Sequence, residues 1–126
     1  MTDQYAVIGH PIEHSVSPFI HGLFARQTGQ DMSYRKLDIA PENLTAEVRQ
    51  FFLQGGRGLN VTVPHKQAIV EMIAELSPRA ERAGAVNTVA LQEDGRLFGD
   101  NTDGVGLVRD LRDNLMIDVH LRSVLI

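Results

Sequence analysis

The stretch "GLNVTVPHK", residues 58–66, predicts a buried β-strand with polar groups at its carboxyl end. Its β-branched residues are typical of strands that pack inside a sheet. The same run carries the polar residues Asn60 and Thr62, stops at Pro64, and reaches Lys66 two residues later. An amide, a hydroxyl and an ammonium group are therefore expected at the end of a strand that otherwise favours burial.

Strands and helices are predicted to alternate on both sides of this run. Further strands are expected at residues 4–9 and, nearer the sheet edge, at 33–38. A Ser-Pro pair, with the serine as N-cap, predicts helices beginning at Ser17 and at Ser77. Other helices are predicted from about Glu42 and, from apolar residues at helical spacing, over Ile69, Val70, Ile73 and Leu76.

The second half of the chain adds a hairpin and a last helix. Residues 88–92 and 96–99 flank a turn that contains Gly95, which predicts a β-hairpin. The last helix is expected to face inward with Leu107, Val108, Leu111 and Leu115. Strand–helix alternation favours parallel strands with right-handed crossovers. The predicted fold is a three-layer α/β/α domain, with a mostly parallel sheet and one antiparallel hairpin strand.

Composition limits the classes of function. Of 126 residues, 12 are basic and 16 acidic, so the net charge is −4, which argues against binding to nucleic acid or an anionic membrane. There is no cysteine, so no disulfide or thiolate metal site can form. We find no signal peptide and no apolar run as long as a membrane span, and we expect a cytoplasmic protein.

Three motifs resemble metal or dinucleotide sites and are rejected. "HPIEH" (10–14) matches a zinc signature that requires a helix, but a proline lies inside it. "DNTDGVG" (100–106) has Leu111 where a calcium loop needs glutamate. The glycines at 104 and 106 lack a closing glycine at Arg109, and no strand is expected to lead directly into them. No metal is predicted, and this chain shows no cofactor-binding motif.

Polar residues follow several predicted strands at the same edge of the sheet, where ligands of parallel α/β folds bind. They are Ser15 and Ser17, then Asn60, Thr62 and Lys66, then Asn87 and Thr88, and finally Asn101, Thr102 and Asp103. Each also has a structural alternative: Ser17 as an N-cap, Asp103 as a first-turn carboxylate, Lys66 as a solvated lysine. Together they favour a pocket for a small, oxygen-rich anion.

Four segments carry a resemblance to a known family. "AVIGHPIEHSVSPFIH" (6–21), "GLNVTVPHK" (58–66), "AGAVNTV" (83–89) and "GDNTDGVGL" (99–107) occur in this order. They resemble the N-terminal, substrate-binding half of shikimate dehydrogenases. The resemblance implies an NADP-dependent oxidoreductase of the shikimate pathway of aromatic amino acid biosynthesis, which interconverts 3-dehydroshikimate and shikimate.

The resemblance also implies roles for the polar residues. Ser15 and Ser17 would hold the shikimate carboxylate, with Thr62 and Asn60 at the same end of the pocket. Lys66, Asn87 and Asp103 would hydrogen-bond the ring hydroxyls. Lys66, paired with Asp103, would be the acid/base group for the alcohol–ketone interconversion.

The sequence departs from the family pattern in three places. His65 stands where the family commonly has an aromatic residue, and Pro78 stands where an acidic residue often occurs, at a position expected to face the cofactor. In the family, the terminal "VLI" runs into a Rossmann domain. We therefore assign residues 1–121 to the substrate-binding domain and 122–126 to the first strand of an absent NADP-binding domain, which makes this chain inactive alone.

Two other functions fit the same residues. One is a quinate/shikimate dehydrogenase with broader substrate use or with NAD as cofactor. The other is a non-catalytic module that binds shikimate-like acids. For the dehydrogenase fragment, the cleft-facing surface and residues 123–126 lack the cover of the absent domain, which predicts a homodimer or self-association of the isolated chain.

Overall fold

The computed structural model describes all 126 residues as a six-stranded sheet with four α-helices. The strands are β1 (Asp3–Gly9), β2 (Met32–Asp38), β3 (Gly56–Val61), β4 (Glu75–Leu76), β5 (Thr88–Leu91) and β6 (Leu97–Asp100). The helices are α1 (Ser17–Thr28), α2 (Leu44–Leu53), α3 (Pro78–Ala83) and α4 (Asp103–Asp113), with 3₁₀ turns at Pro41–Asn43 and Ala68–Met72. None of the helices has the length and apolar character that crossing a membrane requires.

The sheet has the strand order β2-β1-β3-β5-β6-β4. Strand β1 pairs in parallel with β2 and β3, and β4 pairs in parallel with β6. Strand β5 is antiparallel to both of its neighbours, β3 and β6. The predicted α/β fold, with one antiparallel hairpin strand, is confirmed, and so is the edge position of β2.

The core lies on one face of this sheet. Ala6 and Ile8 alternate inward from β1, and they pack with Leu59 of β3 and with Val48 and Phe51 of α2. Strand β3 begins with a glycine because a Cβ there would collide with the Phe51 ring. Helix α1 lies on the opposite face, where His21 stacks on Tyr34 with the ring centroids 4.4 Å apart. The two faces thus give the three predicted layers.

Two predicted elements are wrong in detail. Ser17 is the first helical residue and not the cap: the N-cap position is Val16, and the Ser17 amide donates to Ser15 Oγ at 3.2 Å. The helix predicted over 69–76 is a 3₁₀ turn followed by strand β4. Leu76 there pairs with β6, and a long-range pairing of this kind overrides local apolar spacing.

The carboxyl-terminal part packs less than expected. The apolar side chains of α4 were predicted to face inward, but α4 has no buried residue, and Leu107 and Leu115 are more than half exposed. Residues 122–126 form no strand and are exposed. A strand needs a neighbour for its backbone groups, and none lies beside this segment, so its assignment to a second domain stays a prediction.

Candidate active site

Two clusters of polar side chains lie at the carboxyl edge of the sheet. The first surrounds a cavity of about 380 Å³ that Ser15, Ser17 and Thr62 line together. Val7 and Ile12 supply apolar walls to the same cavity. The three hydroxyl groups that the sequence analysis placed at one end of a pocket therefore share one concavity.

The loop between β1 and α1 positions the two serines. Gly9 ends β1 without a side chain, because a Cβ there would lie 2.7 Å from Thr62 Cγ2. The Ser15 amide then donates to the Ile12 carbonyl at 3.0 Å, which closes a turn. Hydroxyls and a helix start that converge in this way favour an anionic ligand.

The histidines of the zinc-like motif are kept apart by the same loop. His10 donates through Nδ1 to the Asp38 carboxylate at 2.6 Å, whereas the His14 side chain is 91% exposed. Nowhere in the chain do three histidine or carboxylate side chains converge on a common point. His10 instead ties the loop to the end of β2.

The second cluster is centred on Asp103 at the first turn of α4. Lys66 Nζ donates to Asp103 Oδ2 at 2.6 Å, and Asn87 Nδ2 donates to Asp103 Oδ1 at 3.1 Å and to Thr102 Oγ1 at 2.8 Å. The side chains of Lys66 and Asp103 are 31% and 52% exposed. An ammonium, an amide and a carboxylate are thus assembled at an open surface, where a ligand hydroxyl can reach all three.

Lys66 reaches this cluster because its backbone is fixed on both sides. Its carbonyl accepts from the Val86 amide at 2.8 Å. The preceding His65 is buried, and its Nε2 donates to the Ile39 carbonyl at 2.7 Å. The residue that departs from the family pattern therefore anchors the loop before Lys66 instead of facing a ligand.

Asn60 lies between the two clusters. Its Oδ1 accepts from Tyr34 Oη at 2.7 Å, and its Nδ2 is 3.5 Å from the Asn87 carbonyl. Burial raises the pKa of Tyr34 to about 12, and a hydrogen bond with the Ser17 side chain acts in the opposite direction. Tyr34 thus fixes the side-chain amide of Asn60.

Sequence reasoning missed Tyr34, since a tyrosine in a polar edge strand gives no signal of its partner. Asn60 and Tyr34 also line a second cavity of about 410 Å³ on the open face of the sheet.

The Asn101 side chain bonds to backbone groups beside the second cluster and to none of its side chains. Its Nδ2 donates to the Ala85 carbonyl, and its Oδ1 accepts from the Asp103 amide at 3.0 Å.

The glycines near the start of α4 do not fit a dinucleotide. Contrary to the sequence analysis, β6 does lead into α4 after two residues. Gly104 and Gly106 nevertheless lie inside the helix and not in the turn before it. A dinucleotide fingerprint needs glycines where the backbone approaches the pyrophosphate closely.

Pro78 is the first residue of α3. Its predicted position facing the cofactor stays a prediction.

Comparison with known proteins agrees with this geometry. The family model for the shikimate dehydrogenase substrate binding domain matches residues 7–89. The NADP(+) shikimate dehydrogenase of Methylococcus capsulatus is 56% identical over 124 residues, which are 98% of this chain and 44% of that protein. The chain therefore spans less than half the length of this curated relative.

Solved structures give the same result. An Ael1 enzyme from Pseudomonas putida superposes with a TM-score of 0.87 at 42% identity, over 91% of this chain and 42% of that one. Shikimate 5-dehydrogenase from Thermus thermophilus, in complex with NADP(H) and shikimate, superposes with a TM-score of 0.83 at 39% identity, over 90% and 42%. By its sequence and its fold, the chain belongs to the shikimate dehydrogenase substrate-binding domain family.

Proposed function

We propose that this chain is the substrate-binding part of a longer, NADP-dependent shikimate dehydrogenase that reversibly reduces 3-dehydroshikimate to shikimate. The observation that carries the proposal is the hydrogen-bonded Lys66–Asp103 pair, 2.6 Å apart, at the same sheet edge as the serine-lined cavity. An acid/base pair and an anion pocket at one edge match a substrate that is both a carboxylate and an alcohol.

The substrate carboxylate is assigned to the cavity of Ser15, Ser17 and Thr62. No lysine or arginine lines this cavity, so binding there depends on hydroxyl donors and on the start of α1. Hydrogen bonds to a charged group contribute about 1.5–3 kcal/mol each. Three such donors are enough to orient a small ring acid.

The ring hydroxyls are assigned to Lys66, Asn87 and Asp103. In the oxidation of shikimate, the reacting hydroxyl gives its proton to Lys66 in its unprotonated form, which Asp103 holds in place, and NADP would take the hydride from the same carbon. In the reverse direction, Lys66 Nζ donates that proton to the developing alkoxide oxygen. Asn87, which already donates to Asp103, limits the rotation of the carboxylate. Protonated Lys66 uses one N–H group on Asp103 and has two more for the substrate.

The cofactor is assigned to residues outside this chain, since the glycines of α4 do not fit it. Residues 1–121 remain our proposed substrate-binding domain, and 122–126 the start of an NADP-binding domain. Holding two reactants in a productive geometry can supply about 7–11 kcal/mol of a reaction barrier. We therefore expect no turnover from residues 1–126 alone. A cytoplasmic location likewise remains a prediction.

The test is NADPH oxidation by the longer protein with 3-dehydroshikimate, compared for the parent protein, Asp103→Asn and Asp113→Asn. Asp113 is a matched control, because it also forms a carboxylate ion pair on α4, with Arg112, at 2.7 Å. We expect full turnover in the parent and the control and a much lower, still measurable kcat in Asp103→Asn. Absence of turnover in a parent that still binds shikimate would favour the non-catalytic module. Equal kcat/KM for quinate would favour the broader dehydrogenase.

A further inference from the structure

We propose that Asp100, held by Ser77 and Arg79, is a positioning residue that sets the place of Asp103 and, through it, of Lys66. The side chain of Asp100 lies at the end of β6 and is 20% exposed. None of these three residues contacts the serine-lined cavity or belongs to the second cluster. The kinetic part of the inference rests on the proposed function.

Asp100 accepts four hydrogen bonds through its carboxylate. Its Oδ1 accepts from Ser77 Oγ at 2.6 Å, from Arg79 Nε at 2.7 Å and from the Asn101 amide at 2.8 Å. Its Oδ2 accepts from Arg79 Nη2 at 2.6 Å. Two parallel bonds from one guanidinium fix the plane of the carboxylate, and the other two donors come from the start of α3 and from the turn before α4.

A short chain of hydrogen bonds links Asp100 to the proposed acid/base pair. The Asn101 amide binds the Asp100 carboxylate, and Asn101 Oδ1 in turn accepts from the Asp103 amide at 3.0 Å. The backbone carbonyl of Asp100 also accepts from the Asn87 amide at 3.0 Å. Asp100 thus holds the backbone of Asn87 directly and the backbone of Asp103 through Asn101.

Packing of α4 does not provide an alternative support for Asp103. The helix has no buried residue, so its first residue is placed by the turn of residues 100–102 together with the hydrogen bonds from Asn87 and Lys66. The Arg79 guanidinium holds the pKa of Asp100 well below its usual range. The bidentate pair therefore keeps its charge at every pH at which a dehydrogenase of this kind would be assayed.

The test measures kcat and KM for shikimate in the longer protein, together with thermal unfolding. Asp100→Asn retains the size of the side chain but turns an amide towards Arg79. We expect it to lower kcat about 10- to 100-fold, as a displacement near 1 Å can do, with a smaller change in KM. Arg79→Lys should retain more of kcat than Arg79→Met. Asp113→Asn is the control.

A double-mutant comparison separates positioning from general stability. If Asp100 acts through Asp103, Asp100→Asn should lower kcat much less in an Asp103→Asn background than in the parent. An equal factor in both backgrounds, or a lowered melting temperature with unchanged kcat, would overturn the inference.

A spectroscopic readout keeps this inference distinct from the proposed function. If the parent protein does not oxidise shikimate, the proposed function fails, but the positioning claim can still be decided in the chain itself. The ¹H–¹⁵N resonance of the Asp103 amide, which donates to Asn101 Oδ1, should shift in Asp100→Asn and stay unchanged in Asp113→Asn. An unchanged Asp103 amide resonance in Asp100→Asn would overturn the claim.

Discussion

The Lys66 ammonium group is the side chain whose loss should separate proton transfer from binding. General acid–base catalysis contributes about 10²–10⁴ in rate, so Lys66→Ala in the longer protein should lower kcat by about that factor. KM for shikimate should change less, because the hydroxyl and amide contacts remain. Steady-state kinetics would check this. A raised KM with unchanged kcat would instead make Lys66 a binding residue.

Which residues form the site could be predicted because strand ends converge at one edge of a parallel sheet. Ser15, Ser17 and Thr62 do share a cavity, and Lys66 does reach Asp103. The link through Tyr34 could not be predicted, since β1 lies between β2 and β3 in the sheet. A hydrogen bond that crosses an intervening strand leaves no pattern in local sequence.

Helices α1 and α3 both begin with a Ser-Pro pair, yet only one of the two serines acts as a cap. Ser77 Oγ accepts from the Ala80 amide at 3.1 Å, whereas Ser17 caps no amide of α1. Loss of an N-cap costs about 1 kcal/mol. Ser77→Ala should therefore lower the free energy of unfolding by about 1–2 kcal/mol, and Ser17→Ala by less than about 0.5 kcal/mol. Urea denaturation of both variants tests the difference, and equal losses would contradict it.

The elements that were predicted correctly are those whose ends are marked by glycine or by a Ser-Pro pair. Gly84 takes the left-handed conformation at the end of α3, and Gly95 does so in the hairpin turn, so both could be anticipated from glycine alone. The helix predicted over 69–76 was wrong because apolar residues at helical spacing also suit a 3₁₀ turn that leads into a strand. Pairing of β4 with β6 decides between them, and that pairing is non-local.

The stability of the whole molecule should depend on Asp100 in acid. Hydrogen bonds from Arg79, the largest effect, lower the pKa of Asp100 below its ordinary 3.8. A lowered folded-state pKa stabilises the fold above the unfolded-state value, and this stabilisation is lost as pH falls below about 3.8 towards the folded-state value. When the pH is lowered from about 5 to below 3.8, the melting temperature of Asp100→Asn should therefore fall less than that of the parent chain. Identical acid profiles in thermal denaturation would contradict this.

The exposed apolar surface predicts that the isolated molecule self-associates. Phe19 and Phe24 of α1 are 69% and 54% exposed, Leu107 of α4 is 53% exposed, and Leu115, just after α4, is 58% exposed. Apolar side chains clustered on helices in this way mark surfaces that other chains cover. Sedimentation velocity at rising concentration should show dimers or larger species. A monomer over the whole range would contradict the expectation.

The most direct test of the central claim is titration of the purified chain with shikimate, followed by calorimetry and by ¹⁵N NMR. We expect shifts at Ser15, Ser17, Thr62, Lys66 and Asp103. We also expect Ser15→Ala/Ser17→Ala to weaken binding by about 3–6 kcal/mol, at about 1.5–3 kcal/mol for each lost bond to the carboxylate. Ser33→Ala, which removes a hydroxyl bonded to Gln4 at 2.6 Å, is the matched control and should bind like the parent. Unchanged affinity of the double variant, or shifts confined to the open sheet face near Tyr5 and Arg57, would contradict it.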